Sequence, residues 1–96
     1  MRAKARPWPG WFITFEGGDG AGKTVQLRAL AAFLRKNRQT VIETREPGGS
    51  RLSEAVRELV LDADHDNMSA RAELLLMLAA RAQHVEETIR PALDAG

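Results

Sequence analysis

The chain has 96 residues, of which 44% are apolar and 28% are charged, with a net charge of +1 and no cysteine. This length allows one small domain or part of a larger one. The charge balance gives no basic footprint for nucleic acid, no apolar run approaches the roughly 18 residues of a membrane span, and the absence of cysteine excludes disulfides and thiolate metal sites. We therefore expect a cytoplasmic protein that binds neither nucleic acid nor membranes.

The first segment, residues 1–10, is basic and contains Pro7 and Pro9. It lacks the apolar core of a secretory signal, and we expect it to be a disordered extension of a domain that covers residues 11–96. That domain begins with an apolar run from Trp11 to Phe15. The run predicts a first strand over residues 11–16, buried on both faces.

A glycine-rich segment follows and matches the pattern G-x-x-x-x-G-K-[ST] of loops that bind nucleotide phosphates. Its residues are Gly17, Gly18, Asp19, Gly20, Ala21, Gly22, Lys23 and Thr24. Glycines let successive N–H groups point at an anion, while Lys23 is expected to reach the β- and γ-phosphates and the Thr24 hydroxyl to ligate Mg²⁺. Asp19 repels an anion, so it either contacts a sugar hydroxyl or the metal through water, or faces solvent.

Helical periodicity predicts a helix from Lys23 to about Asn37, and then a short strand over residues 40–43. Arg45 to Gly49 reads as a turn. Ser50 is expected to cap a second helix that ends near Leu61. The first helix has an apolar stripe of Leu27, Leu30, Ala31 and Leu34, and the second one of Leu52, Val56, Leu59 and Val60.

Residues 62–67 form an acidic loop that lacks the central glycine and the last glutamate of a calcium loop, so we do not expect metal there. A long helix is then predicted from Ser69 to about Arg90, ended or kinked by Pro91. The side chains expected on its inner face are Leu74, Met77, Leu78, Val85 and Ile89.

Three arginines lie at positions where a charged side chain either contacts a ligand or needs a structural partner. Arg45 follows the second strand at its carboxyl end, where ligands of open α/β sheets bind. Arg57 either borders this cleft or is solvated. Arg81 falls on the apolar stripe of its helix, so it needs a partner, which is either a structural carboxylate such as Glu73 or Glu86 or a phosphate or base of a second substrate.

Taken together, these motifs resemble bacterial thymidylate kinases over residues 11–96. The matching segments are Phe12-Ile13-Thr14-Phe15-Glu16-Gly17 with the loop, Thr44-Arg45-Glu46-Pro47-Gly48-Gly49, Ala79-Ala80-Arg81 and Ile89-Arg90-Pro91-Ala92-Leu93. The resemblance implies an α/β fold, the P-loop nucleoside monophosphate kinase type with a parallel sheet that is incomplete in this chain. It also implies transfer of the γ-phosphoryl group of ATP to dTMP with Mg²⁺, in a homodimer.

The resemblance assigns roles to individual residues. The loop 17–24 would hold ATP, with Lys23 and Asp19 as catalytic residues and Asp19 also on the 3′-hydroxyl of dTMP. Arg45 and Arg57 would face the dTMP phosphate, and Arg81 the thymine. The bond between Glu46 and Pro47 is expected to be cis.

Several features depart from the family. Met77 stands where the family usually has a phenylalanine that stacks on the base, although a methionine can contact a ring. Val25 replaces a hydroxyl residue, and Gly20 stands where some relatives have a catalytic arginine. The strand with an Asp-Arg motif, which lies between the first two strands in the family, is missing, as is the lid. We therefore expect the chain alone to be inactive, and keep two alternatives: a non-catalytic nucleotide-binding module, or a kinase for another nucleoside monophosphate.

Overall fold

The computed structural model describes residues 7–18, 20 and 22–96, and within this range the regular structure is helical. Helix α1 spans Lys23–Lys36, α2 Arg51–Leu61, α3 Ala70–His84 and α4 Arg90–Ala95. A 3₁₀ turn covers Ala63–His65, and a π-helical turn, Val85–Ile89, joins α3 to α4. The bounds of α1 and α2 confirm the predicted helices.

Helix starts follow from local chemistry. Gly22 precedes α1 with φ of 78°, a left-handed conformation that favours glycine. The side chain of Ser50 caps α2 by accepting from the Ser53 N–H at 3.2 Å, and that of Ser69 caps α3 by accepting from the Ala72 N–H at 3.1 Å. Each cap satisfies an N–H group that has no partner inside its helix.

The predicted parallel sheet is not confirmed, because the described residues contain no strand. The two segments expected to form strands, residues 11–16 and 40–43, are not paired with each other. A strand needs hydrogen bonds from a neighbour, and the resemblance given above implies that another strand lies between these two segments. No other described segment lies there as a strand.

The packed part of the molecule is the contact between α2 and α3. Ser53 is fully buried, and its hydroxyl donates to the Ala80 carbonyl at 2.6 Å while it accepts from the Ser50 hydroxyl at 2.7 Å. Val56 and Ala80 are also buried. Because serine and alanine are small, the two helix backbones come close, and the serine hydroxyls are satisfied inside the contact.

The predicted inner face of the long helix is wrong over its first half. Leu74, Met77 and Leu78 are 56%, 40% and 51% exposed, whereas Ala80 is buried against Ser53 of α2 and His84 is buried beside Thr44. Residues 74–80 are apolar on every side of the helix, so periodicity alone does not select a face. The shorter side chains form the contact because they permit closer packing.

Pro91 does not end the helix. The backbone continues through α4, because the preceding π-helical turn carries the Arg90 N–H to the Val85 carbonyl, a longer-range bond than that of an α-helix. Proline has no N–H to donate and is tolerated in the first turn of a helix, which is where Pro91 lies in α4. The leucine that follows, Leu93, is buried and its carbonyl accepts from the Gly10 N–H at 2.9 Å.

The other half of the molecule is an open apolar groove of about 1200 Å³. Its walls are residues 10–15, the predicted stripe of α1, residues 39–44, and residues 87–96. Trp11, Phe12 and Ile42 are 75%, 55% and 57% exposed. The described part of α1 makes no close contact with another helix, and is held to the following segment by the Arg35–Glu43 ion pair at 2.8 Å.

The chain is correspondingly expanded. Its radius of gyration is 16.0 Å, compared with about 12.5 Å for a compact domain of this length. Among the described helices none is long and apolar enough to cross a membrane. The fold therefore consists of a packed α2–α3 unit and an unfilled groove.

The buried hydroxyl of Ser53 gives a test of the packed unit. We expect Ser53→Ala to lower the free energy of unfolding by about 1–2 kcal/mol, because it leaves the buried Ser50 hydroxyl without its acceptor. Leu52→Ala, at the adjacent exposed position, is the control and is expected to change it by less than about 0.5 kcal/mol. The measurement is urea unfolding followed by circular dichroism, and equal losses in the two variants would contradict the assigned contact.

Candidate phosphate loop and arginine-lined turn

The glycine-rich loop has the backbone that its sequence predicts. Gly20 and Gly22 have φ of 81° and 78°, so both positions favour glycine. Lys23 begins α1, and its Nζ donates to the Gly17 carbonyl at 3.0 Å. Thr24 is exposed in the first turn of the helix. Asp19 and Ala21, which the sequence analysis also placed in this loop, lie outside the described residues.

This arrangement suits an anion. The N-terminus of α1 carries unpaired N–H groups and a partial positive charge, and the ammonium group of Lys23 lies beside it. Its present acceptor, the Gly17 carbonyl, is a neutral atom at an exposed site, so a phosphate oxygen can compete for the ammonium group. The Thr24 hydroxyl offers an oxygen ligand of the kind that Mg²⁺ prefers.

A second cluster surrounds the turn over residues 44–49. The Glu46–Pro47 peptide bond is cis, which confirms the prediction. Arg45 donates to both carboxylate oxygens of Glu54, from Nη2 at 2.8 Å and from Nε at 3.2 Å, and the Gly49 N–H donates to Oε1 of the same carboxylate at 3.0 Å. Glu54, on α2, therefore joins the two ends of the turn.

These hydrogen bonds change the acidity of Glu54. The bond from Arg45, with a smaller contribution from the Gly49 N–H, lowers the pKa of Glu54 from 4.5 to about 2, against the opposing effect of burial. The same bond raises the pKa of Arg45. Glu54 is thus a carboxylate at neutral pH and holds the turn in its charged form.

Arg57 lies on α2, like Glu54, and contacts the same turn. Its Nη1 donates to the Pro47 carbonyl at 3.2 Å, and the side chain is half-buried. Arg45 and Arg57 both line a shallow depression of about 360 Å³. The remaining residues of its lining are Glu54, Glu58, Leu61 and Asp62. The structure therefore brings together the two arginines that the sequence analysis assigned to a phosphate.

The predicted surroundings of Arg81 are wrong. It was expected on a buried stripe, paired with Glu73 or Glu86 if structural, but its side chain is 65% exposed and pairs with Glu46 of the turn. Arg81 Nε donates to Oε1 at 2.7 Å and to Oε2 at 3.3 Å, which raises the pKa of Arg81. Met77 lies one helical turn earlier and is 40% exposed. Both side chains are therefore exposed on α3.

The sequence analysis missed the residues of α3 and of the following π-helical turn that contact the turn over residues 44–49. His84 is buried, and its Nε2 lies 2.7 Å from the Thr44 hydroxyl. Thr88 donates from its hydroxyl to the Gly49 carbonyl at 2.8 Å. The one signal in the sequence is that His84 and Thr88 are four residues apart and so share a helix face. Among the described residues no hydrogen bond joins this turn to the glycine-rich loop.

Comparison with known proteins places these two clusters in context. A family model described as thymidylate kinase matches residues 15–96. The chain is 59% identical over 88 residues to a curated thymidylate kinase of Rhizorhabdus wittichii. The matched segment is 92% of this chain and 42% of the relative. It is 53% identical over 87 residues to one of Halalkalibacterium halodurans, covering 91% and 41% respectively. The chain therefore spans about two fifths of the length of the curated relatives that it matches.

The lowered acidity of Glu54 predicts a pH dependence. A carboxylate with a lowered pKa stabilises the folded chain above its usual pKa of 4.5, and this contribution is lost as the pH falls from about 4.5 to about 2. We therefore expect Glu54→Gln to be less stable than the unmodified chain at pH 6, with the difference shrinking below pH 4.5.

The measurement is the unfolding free energy from urea titrations between pH 6 and pH 2.5. Glu58→Gln is the control for the loss of one carboxylate, because Glu58 lies on the same helix and makes no ion pair with a described residue. A Glu54→Gln difference that stays constant over the whole pH range would contradict the role of the charged carboxylate.

Proposed function

This chain belongs to the thymidylate kinase family, and we propose that it forms the nucleotide-binding part of an enzyme that transfers the γ-phosphoryl group of ATP to dTMP. The observation that carries the proposal is the convergence of Arg45, Arg57 and Arg81 on one turn, in a chain whose glycine-rich loop begins a helix with Lys23. Two separate cationic sites suit two phosphorylated substrates.

The ATP side of the reaction is assigned to residues 17–24. The loop N–H groups and the N-terminus of α1 bind the phosphates, and Lys23 exchanges the Gly17 carbonyl for oxygens of the β- and γ-phosphates. The exposed Thr24 hydroxyl fits a ligand of Mg²⁺, which when bound neutralises charge on those oxygens. The work of these residues is positioning and electrostatic stabilisation, since the transferred group needs no covalent help from the protein.

The dTMP side is assigned to the arginine-lined turn. Arg45 and Arg57 bind the phosphate at the depression they share, and Arg81 with Met77 contacts the thymine from the exposed face of α3. Arg45 and Arg57 are held by Glu54 and by the Pro47 carbonyl, so their positions are set before the substrate arrives. Asp19 is assigned to the 3′-hydroxyl of dTMP. A homodimer and a cytoplasmic location belong to the same proposal.

We also propose that the 96-residue chain alone is inactive. The apolar groove beside the predicted strands is unfilled, and the curated relatives have more than twice as many residues in which to supply a further strand and a lid. An acceptor other than dTMP is a second candidate, and Met77 favours it, because a methionine side chain recognises a base less specifically than an aromatic ring.

The test is a fusion of residues 1–96 to the C-terminal portion of the Rhizorhabdus wittichii relative that this chain does not cover. We expect dTMP-dependent release of ADP from the fusion and none from the chain alone. Lys23→Met is expected to lower kcat about 10²- to 10³-fold, because it removes a charge that stabilises the transition state. Lys36→Met, at the other end of α1, is the matched control and is expected to retain the rate.

Three results would change the proposal. A fusion that phosphorylates dUMP but not dTMP would favour the second candidate. A fusion that binds ATP without any turnover would favour a non-catalytic nucleotide-binding module. A Lys23→Met fusion with an undiminished rate would show that the loop is not the donor site.

A further inference from the structure

His84 carries a polar atom that the packing of the molecule does not explain. The side chain is 2% exposed, and its Nδ1 has no hydrogen-bond partner among the described residues. A buried polar atom without a partner costs free energy, and an apolar side chain would fill the same space without that cost. The position of Nδ1 therefore calls for a role beyond packing.

The rest of the ring is held firmly. Nε2 lies 2.7 Å from the Thr44 hydroxyl, and a Cβ placed on Gly49 would overlap both Nε2 and the Thr44 hydroxyl oxygen. Gly49 also has φ of 87°, so both space and conformation favour glycine there. The contacts with Thr44 and Gly49 therefore restrict the ring, and with it the position of Nδ1.

An atom near Nδ1 that could accept a hydrogen bond belongs to a neighbouring carboxylate. Oε2 of Glu46 lies 3.9 Å from Nδ1, which is beyond hydrogen-bond distance. A lone pair on Nδ1 would repel that oxygen, so the favoured tautomer has its hydrogen on Nδ1 and lets Nε2 accept from the Thr44 hydroxyl. In that tautomer Nδ1–H is an unused donor beside Glu46.

The Glu46 carboxylate is at present hydrogen-bonded to Arg81. It accepts from Arg81 Nε at 2.7 Å and 3.3 Å, and Arg81 is the more exposed of the two partners, at 65% against 29%. If Arg81 leaves to bind a nucleotide, a partly buried carboxylate loses its hydrogen bonds, and this loss weakens the binding. The Nδ1–H of His84 is placed to replace them.

We propose that His84 is a positioning residue that takes over the Glu46 carboxylate when Arg81 is released to a nucleotide. The inference rests on the proposed function for the identity of that nucleotide, but the exchange of partners can be measured without it. It gives Nδ1 a partner, while Nε2 is engaged by the Thr44 hydroxyl. It also links Thr44, Glu46 and Arg81 through one ring.

The first experiment uses the 96-residue chain and ¹H–¹⁵N NMR of the His84 ring. Arg81→Met removes the competing partner from an exposed position. We expect the ring to carry its hydrogen on Nδ1, that hydrogen to shift downfield in Arg81→Met, and the shift to vanish in the Arg81→Met/Glu46→Ala double variant. A ring protonated only on Nε2, or a resonance that Arg81→Met leaves unchanged, would overturn the proposal.

The second experiment measures KM for dTMP in the fusion protein with two substitutions of His84. His84→Asn keeps a donor on the atom attached to Cγ, where Nδ1 stands, whereas His84→Gln keeps only a group near Nε2. We expect KM to rise on the order of fivefold or more in His84→Gln with little change in kcat, and to stay near the original value in His84→Asn.

A purely structural His84 predicts similar changes in KM for the two variants, and that result would contradict the proposal. Thr44→Val serves as the control that removes the hydrogen bond of Nε2 and keeps the shape of the side chain at position 44. If the fusion does not phosphorylate dTMP, the proposed function fails, while the NMR result still decides whether Glu46 turns to His84.

Discussion

The site depends on one constraint, which is that side chains from two helices hold the turn over residues 44–49. On α2, Glu54 binds both Arg45 and the Gly49 N–H. On α3 and its continuation, His84 contacts Thr44, while Thr88 binds the Gly49 carbonyl. The turn can keep this shape only while α2 and α3 keep their relative position. The buried hydrogen bond from Ser53 to the Ala80 carbonyl holds that position. Packing and site geometry are therefore parts of the same network.

The two halves of the molecule contrast in how complete they are. In the half around α2 and α3, the buried serine hydroxyls are hydrogen-bonded, ion pairs are formed, and a small core is buried. The half around α1 exposes aromatic and branched side chains to a groove of about 1200 Å³. Exposed apolar surface of this extent is typical of a place where a ligand or another protein surface packs. On the proposed function, the acceptor site is preformed by the first half, and the donor loop sits on the half that is still open.

Much of this arrangement could be predicted from the sequence where a single residue type sets the local structure. Gly22 and Ser50 fixed the starts of two helices, and family resemblance correctly indicated the cis bond before Pro47. The packed face of α3 could not be predicted, because the helix itself carries apolar residues on every side. Which of them become buried depends on the side chains that α2 places against it. The partner of Arg81 was missed for a related reason. Glu46 is 35 residues away in the chain, and only the folded turn brings it near.

Hydrogen–deuterium exchange tests the central claim, that the turn is preformed while the predicted strands are not. In the 96-residue chain we expect slow exchange at the Gly49 amide, which donates to Glu54, and within α2 and α3. We expect fast exchange over residues 11–16 and 40–43. In the fusion with the relative's C-terminal portion, these two segments should become protected while the turn changes little. Fast exchange at Gly49 in the chain alone, or protection of residues 11–16 without the added portion, would contradict the account.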